Sequence, residues 1–279
     1  MKSLIAALAF LSLLLSGQAA LAETFGFGVL SQRSAVLTAE HWNPILEYVG
    51  KKAGVELALK IARTGAESAA AAARGEYDFI YSNHIFTPAI QPQGYRVILR
   101  PRSAAITGQI VTLADSPIRD LPELAGKTVG FPSKAAFVGY AVPMDHLLRQ
   151  GIPVESAFGG NQEGVMGQLV AGKVIAAGVN DQVMAAFASR EGVKYRVLWQ
   201  SQPFHNLPIA AHPRVPDAVA ARVAAAIAGM NDDAEGRAIL EASARVIGQK
   251  PPLGFLPSSP ADYRNYPDFY RRTLVKDIE

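Results

Sequence analysis

Residues 127–149 read KTVGFPSKAAFVGYAVPMDHLLR, and how this stretch divides decides the fold class. Thr128-Val129-Gly130-Phe131 is a short apolar strand and Pro132-Ser133 a turn; Phe137, Tyr140, Ala141, Met144, Leu147 and Leu148 then recur at helical spacing. A strand that feeds a helix leaves the first N–H groups of that helix unpaired, at an end carrying partial positive charge. Such an end attracts anions. Ser133 adds a hydroxyl there and Lys134 a full charge. The unit is common in α/β proteins, so it speaks to fold before it speaks to function.

The same alternation extends in both directions. Upstream, Phe25–Leu30 reads as a strand, Thr38 caps a helix running to Ala53, and Val55–Ala62 is a second strand. An Ala-rich helix follows Arg63-Thr64-Gly65, and strands are predicted at 77–81 and 95–99. Downstream, strands at 108–113, 154–158, 176–179, 195–200 and 208–211 interleave with helices at 162–171, 183–189, 217–230 and within 231–248. The tail, Pro251–Pro267, reads as a surface wrap, and 268–275 as a terminal helix. Strands alternating with helices mean right-handed βαβ units and mainly parallel sheets. The layout predicts two α/β lobes, 23–104 plus 205–279 and 105–204, joined by a hinge of two segments near 101–107 and 201–207. A ligand in such a fold sits in the cleft, at the carboxyl ends of the strands.

Composition narrows the class. The first 22 residues read as a secretory signal: Lys2, an apolar run from Leu4 to Leu15, and cleavage after Ala20-Leu21-Ala22. That run is too short to span a bilayer, and an exported, periplasmic protein is expected. With no Cys anywhere, stability rests on burying a chain that is 49% hydrophobic. The formal charge is +3, or +2 once Lys2 is subtracted, with no Lys/Arg run, so nucleic-acid binding has no support.

If the βα loops face the cleft, they present Ser31, Gln32 and Arg33, then Arg63 and Thr64, then Tyr81, Ser82, Asn83 and His84. From the other lobe come Ser133 and Lys134, Asn161, Asn180 and Asp181; His205 lies beside the second crossing. That set is rich in donors, with Asp181 its main acid, and suits a small anionic or zwitterionic ligand. Each candidate has an ordinary alternative. Arg33 could be a solvated charge, Tyr81 a core-edge ring, His84 a loop histidine, Ser133 a turn residue, Asp181 a helix cap and Phe137 core packing. Catalysis finds little footing: there is no HExxH, no G-x-S-x-G, no Cys, no phosphate-binding loop and no clustered metal ligands. No cofactor or metal is expected, and the chain is not read as an enzyme.

Several segments together resemble a known family. FGVLSQRSAVLTAEHWNPILEYV, ARGEYDFIYSNHIF, GKTVGFPS with its following helix, GQLVAGKV and SQPFHNLPIAAHP look like the PhnD-like periplasmic binding proteins of phosphate/phosphite/phosphonate ABC transporters. The resemblance implies a type II periplasmic binding fold closing on an oxyanion for delivery to a permease, in a monomer; a sensor for a membrane histidine kinase is the alternative. It implies a hydroxyl-rich turn at the helix start, which here reads Ser133-Lys134-Ala135-Ala136-Phe137, so Ser133 alone keeps that role. A ligand with an apolar part would stack on Phe137. A family histidine corresponds to Asn161, the acidic position to Asp181 and the first-lobe tyrosine to Tyr81.

Overall fold

The computed structural model describes residues 23–278, and the expected signal segment lies outside them. Strand β1 (Thr24–Val29) turns Phe25, Phe27 and Val29 onto one face, where they meet helix α1 (Ala35–Ala53) through Trp42, Ile45, Leu46 and Val49. Helix α1 starts earlier than its sequence pattern predicts. Ser34, not Thr38, is the cap; its hydroxyl accepts from the Leu37 N–H at 3.3 Å, and Thr38 instead donates to the Ser34 carbonyl. Gly28, on the other face of β1, lets Tyr77 lie against the backbone: a Cβ there would stand 2.4 Å from the ring.

Strands β2 (Glu56–Ile61), β3 (Phe79–Tyr81) and β4 (Arg96–Pro101) continue the first sheet, with helix α2 (Gly65–Ala73) between β2 and β3. The chain then leaves for a second sheet, built from β5 (Gly108–Leu113), β6 (Thr128–Phe131), β7 (Glu155–Phe158), β8 (Ala176–Asn180) and β9 (Tyr195–Gln200). After β6 comes a π-helical turn, Phe137–Ala141, running into α3 (Val142–Arg149); α4 (Gln162–Val170) follows β7 and α5 (Asp181–Glu191) follows β8. The chain returns with β10 (Ile209–Ala211), α6 (Asp217–Ala228), α7 (Ala234–Val246), β11 (Phe255–Pro257) and α8 (Asn265–Arg272).

The sheets order as β11-β4-β10-β3-β1-β2 and β7-β6-β8-β5-β9. Pairings β1–β2, β1–β3, β6–β7 and β6–β8 are parallel. The strand entering each sheet after a crossing, β5 in one and β10 in the other, runs antiparallel to both neighbours. This places the loops after β1, β3, β6, β7 and β8 at the junction between the sheets. An apolar cluster also joins the halves there: Ile80, Phe137, Val138, Phe204, Tyr263 and Tyr266 pack together.

The tail differs from a simple surface wrap. Residues 255–257 pair with β4. Beyond α8, the Thr273 hydroxyl and the Leu274 N–H both donate to Asp145 of α3, at 2.9 and 2.7 Å, and Val275 enters the core of the second sheet. The chain thus passes between the halves a third time, in addition to the two crossings read from the sequence.

Candidate functional site

The junction holds two adjoining cavities. The smaller is a recess of about 20 Å³, little more than the room one water needs. It is walled by Ser31 and Gln32 after β1, Gly65 at the start of α2, Asn83 and His84 after β3, Ser133 and 136–139 after β6, Asn161 and Gln162 after β7, and Asn180 at the end of β8. The βα junctions after β1, β2, β3, β6, β7 and β8 all contribute. The larger cavity, about 440 Å³, shares Leu30, Gln32 and Asn180 with the recess and extends over Trp42, Tyr81 and α5 to the loop 246–255.

The halves touch directly beside the recess. The Gly65 N–H donates to the Gly160 carbonyl at 2.7 Å, and the Glu163 N–H to the Gln32 carbonyl at 3.2 Å. Gly65 has a specific reason to be glycine, since an added Cβ would lie 3.0 Å from the Ser133 hydroxyl and 3.5 Å from the Gly160 oxygen. Any larger residue would wedge the halves apart.

Within the recess, donors outnumber acceptors. His84 is 2% exposed and its Nδ1 has no hydrogen-bond partner. Burial pushes its pKa down to about 4, so the ring is neutral at ordinary pH and offers one N–H and one lone pair. Ser133 is buried beside it. The amides of Phe137, Val138 and Gly139 donate to no acceptor among the described residues, as the first turn of a helix requires. Asn180 fixes the floor: its side chain accepts from the Gln182 and Val183 N–H groups, and its own N–H donates to the Gln162 side chain at 3.0 Å.

The larger cavity has a different character. Trp42 and Tyr81 pack at 4.9 Å, with Phe255 behind them. Burial pushes the Tyr81 phenol up to about 12, so it stays protonated. Four basic residues, Arg33, Arg190, Arg245 and Lys250, line this cavity and no Asp or Glu does. His41 lies in its wall with its ring Nδ1 donating to the Ser243 carbonyl; burial lowers its pKa to about 4.

Of the residues singled out from the sequence, Ser31, Gln32, Asn83, His84, Ser133, Phe137, Asn161 and Asn180 border the recess, and Arg33 and Tyr81, together with Gln32 and Asn180, border the larger cavity. Arg63, Thr64, Ser82 and His205 line neither cavity, and Lys134 and Asp181 also stand elsewhere. Lys134 reaches away, its Nζ 3.6 Å from Asp277 in the C-terminal tail. Asp181 accepts from the Thr107 N–H at 3.0 Å and pins the first crossing; the cap of α5 is Asn180. Phe137 is no open platform, since Tyr266 stacks on it at 4.2 Å and Phe204 abuts it at 4.8 Å. Asn161 spends its side-chain oxygen capping α4, at 2.7 Å from the Gly164 N–H. Sequence reasoning missed Gln162, Gln182 and Arg190. For Gln182 and Arg190 the signal was the spacing along α5, where Gln182, Ala186, Ser189 and Arg190 fall on one face and line the larger cavity.

Two sheets, each with one strand entering antiparallel and joined by crossings, around a ligand-sized cavity at the strand ends, define a type II periplasmic binding protein. Solved structures agree on the fold. PhnD1 of Prochlorococcus marinus in complex with methylphosphonate matches with a TM-score of 0.74 at 13% identity, over 90% of this chain and 98% of that one. A binding protein of a Pseudomonas aeruginosa phosphonate transporter gives 0.76 at 15% identity, over 90% and 87%. A Xanthomonas citri protein bound to ATP gives 0.68 at 16% identity, over 90% and 96%. The chain belongs to the family of periplasmic substrate-binding proteins of phosphonate ABC transporters, whose model matches residues 27–263. None of the proteins of curated function matches the sequence. The family is one of transport proteins, and no comparison points to a sensor kinase partner. Among the described residues no helix is long and apolar enough to cross a membrane, and no cluster of His, Asp and Glu could hold a metal.

Proposed function

We propose that this protein captures a small oxyanion of the phosphonate, phosphite or phosphate type between its halves in the periplasm and presents it to an ABC permease. The observation that carries this reading is the recess itself: a buried space where His84 Nδ1 lacks a partner and the first amides of the Phe137 turn lack acceptors. A buried donor without a partner costs about 1–3 kcal/mol, and an anion bound there removes that cost. The recess has almost no free volume with the halves in contact, so the ligand enters an opened cleft and its oxygens must replace part of the present wall. Affinity for the closed form over the open one then drives closure.

Thermal denaturation with phosphate, phosphite, methylphosphonate, sulfate and small carboxylates tests this. At a ligand concentration of 100 Kd, mass action gives about 2.7 kcal/mol of stabilisation. At least one phosphorus oxyanion should raise Tm, and carboxylates alone should not. A flat response to every oxyanion would remove the proposal.

A further inference from the structure

The larger cavity is far bigger than an oxyanion head group needs. Its volume of about 440 Å³ falls within the range of cavities that hold whole organic ligands. Its charge is one-sided as well. Arg190, Arg245 and Lys250 stand exposed at its edge, Arg33 is partly buried within it, and no carboxylate lines it. The carboxylate that acts on Arg33 is Glu163, and both its oxygens are engaged: one with Arg190 at 3.0 Å, the other with the Ser34 N–H at 3.4 Å. Arg33 itself makes no hydrogen bond or ion pair with its side chain among the described residues. A partly buried guanidinium with five donors and no acceptor faces a cavity that continues from the recess through Leu30, Gln32 and Asn180.

We infer that the ligand is a bifunctional organic acid: one oxyanion head in the recess and a second acidic group, carboxylate or phosphoryl, received by Arg33. This rests on the oxyanion reading of the recess and specifies what the head is attached to. The planar fork of Arg33 pairs with either acid in two parallel bonds. The spacer would run past Tyr81 and Trp42, whose rings give it an apolar wall. An aminoalkyl tail is disfavoured, because its ammonium would enter a space that holds arginines and no counter-charge.

Isothermal titration of the full mature chain with four probes tests the inference: 3-phosphonopropionate, methylenediphosphonate, propylphosphonate and 2-aminoethylphosphonate. At least one of the two diacids should bind about ten-fold or more tightly than propylphosphonate, with the aminophosphonate weakest, as one charge-assisted pair implies. In Arg33→Gln the ratio of diacid to propylphosphonate affinity should collapse towards one. The wild-type series needs no variant, so a folding defect in Arg33→Gln cannot mask the answer. If the monoacid and aminophosphonate bind as well as both diacids, the inference fails and the recess reading stands. If none of the four probes binds, the inference fails, and the phosphate, phosphite and sulfate series above decides whether the recess reading stands.

Discussion

The recess and the cavity behind it are built from the same strand ends, yet they are prepared for different tasks. The recess is narrow, buried and furnished by backbone amides and short side chains, so its geometry changes only if the halves move. The cavity is wide, walled by aromatic rings and edged by long basic side chains that can adjust. Each also keeps one buried, neutral histidine. His41 in the cavity wall is satisfied by the Ser243 carbonyl, whereas Nδ1 of His84 in the recess has nothing. A buried ring nitrogen without a partner, in the wall of a recess, is a candidate contact for a ligand. On the proposed reading, the charged head belongs to the rigid part and the remainder of the ligand to the adjustable one.

The most direct way to break this comparison is to stop the halves from meeting. Gly65→Leu places a side chain where a bare Cβ already lies 3.0 Å from Ser133. Recess binding should weaken by about 100-fold or more, because the closed form becomes sterically inaccessible. Gly65 is buried only against Ser133 and Gly160 of the other half, so parting the halves accommodates the side chain, and Tm without ligand should fall by no more than the loss of those seam contacts. Small-angle scattering should show no ligand-dependent contraction. Retained affinity in this variant would mean that the head group does not bind between the halves.

The two histidines give a pH test. Both have folded pKa values near 4 against an ordinary 6.5, through burial. Between those values the unfolded chain binds protons that the folded chain refuses, so stability present above pH 6.5 is lost as pH falls towards 4. Each histidine accounts for up to about 3 kcal/mol of that loss. An anion in the recess favours the protonated form of His84 and leaves His41 largely unaffected. Denaturation with and without saturating ligand should therefore show the acid slope shrinking by about half on binding. An unchanged slope would separate His84 from the ligand. Smaller in scale, Ser133→Ala should cost about 1–3 kcal/mol of affinity by removing a buried hydroxyl from the recess wall.

Much of the fold was legible because its signals are local and repeated. Phe25, Phe27 and Val29 alternate, the α1 core residues recur at helical spacing, and the strand–turn–helix of 128–149 stands within a residue or two of its reading. What stayed hidden depended on partners distant in sequence. Phe255–Pro257 is three residues inside a proline-rich tail and is a strand only because β4 offers it an edge. The third passage depends on Asp145, a residue on the far half that nothing in 265–278 announces. Along the site, residue type at strand ends located the junction but not the direction of each side chain. Asn180 and Asp181 are neighbours, yet one caps α5 beside both cavities while the other holds the crossing at Thr107.

Lys134 carries the same lesson into the smallest expected effect. Adjacent to Ser133 and at an anion-attracting helix start, it looks from the sequence like the charge that holds the ligand. In the fold its ammonium lies 3.6 Å from Asp277, about a third exposed, and it borders neither cavity. A pair that open to solvent contributes about 0–1 kcal/mol. Lys134→Ala should therefore shift Tm only slightly and change oxyanion affinity by less than about two-fold, with raised salt erasing even that. Titration of this variant beside Ser133→Ala separates two adjacent residues by their direction alone. A large loss in Lys134→Ala would put charge, rather than the buried amides and His84, at the centre of recognition, and the contrast between rigid recess and basic cavity would have to be redrawn.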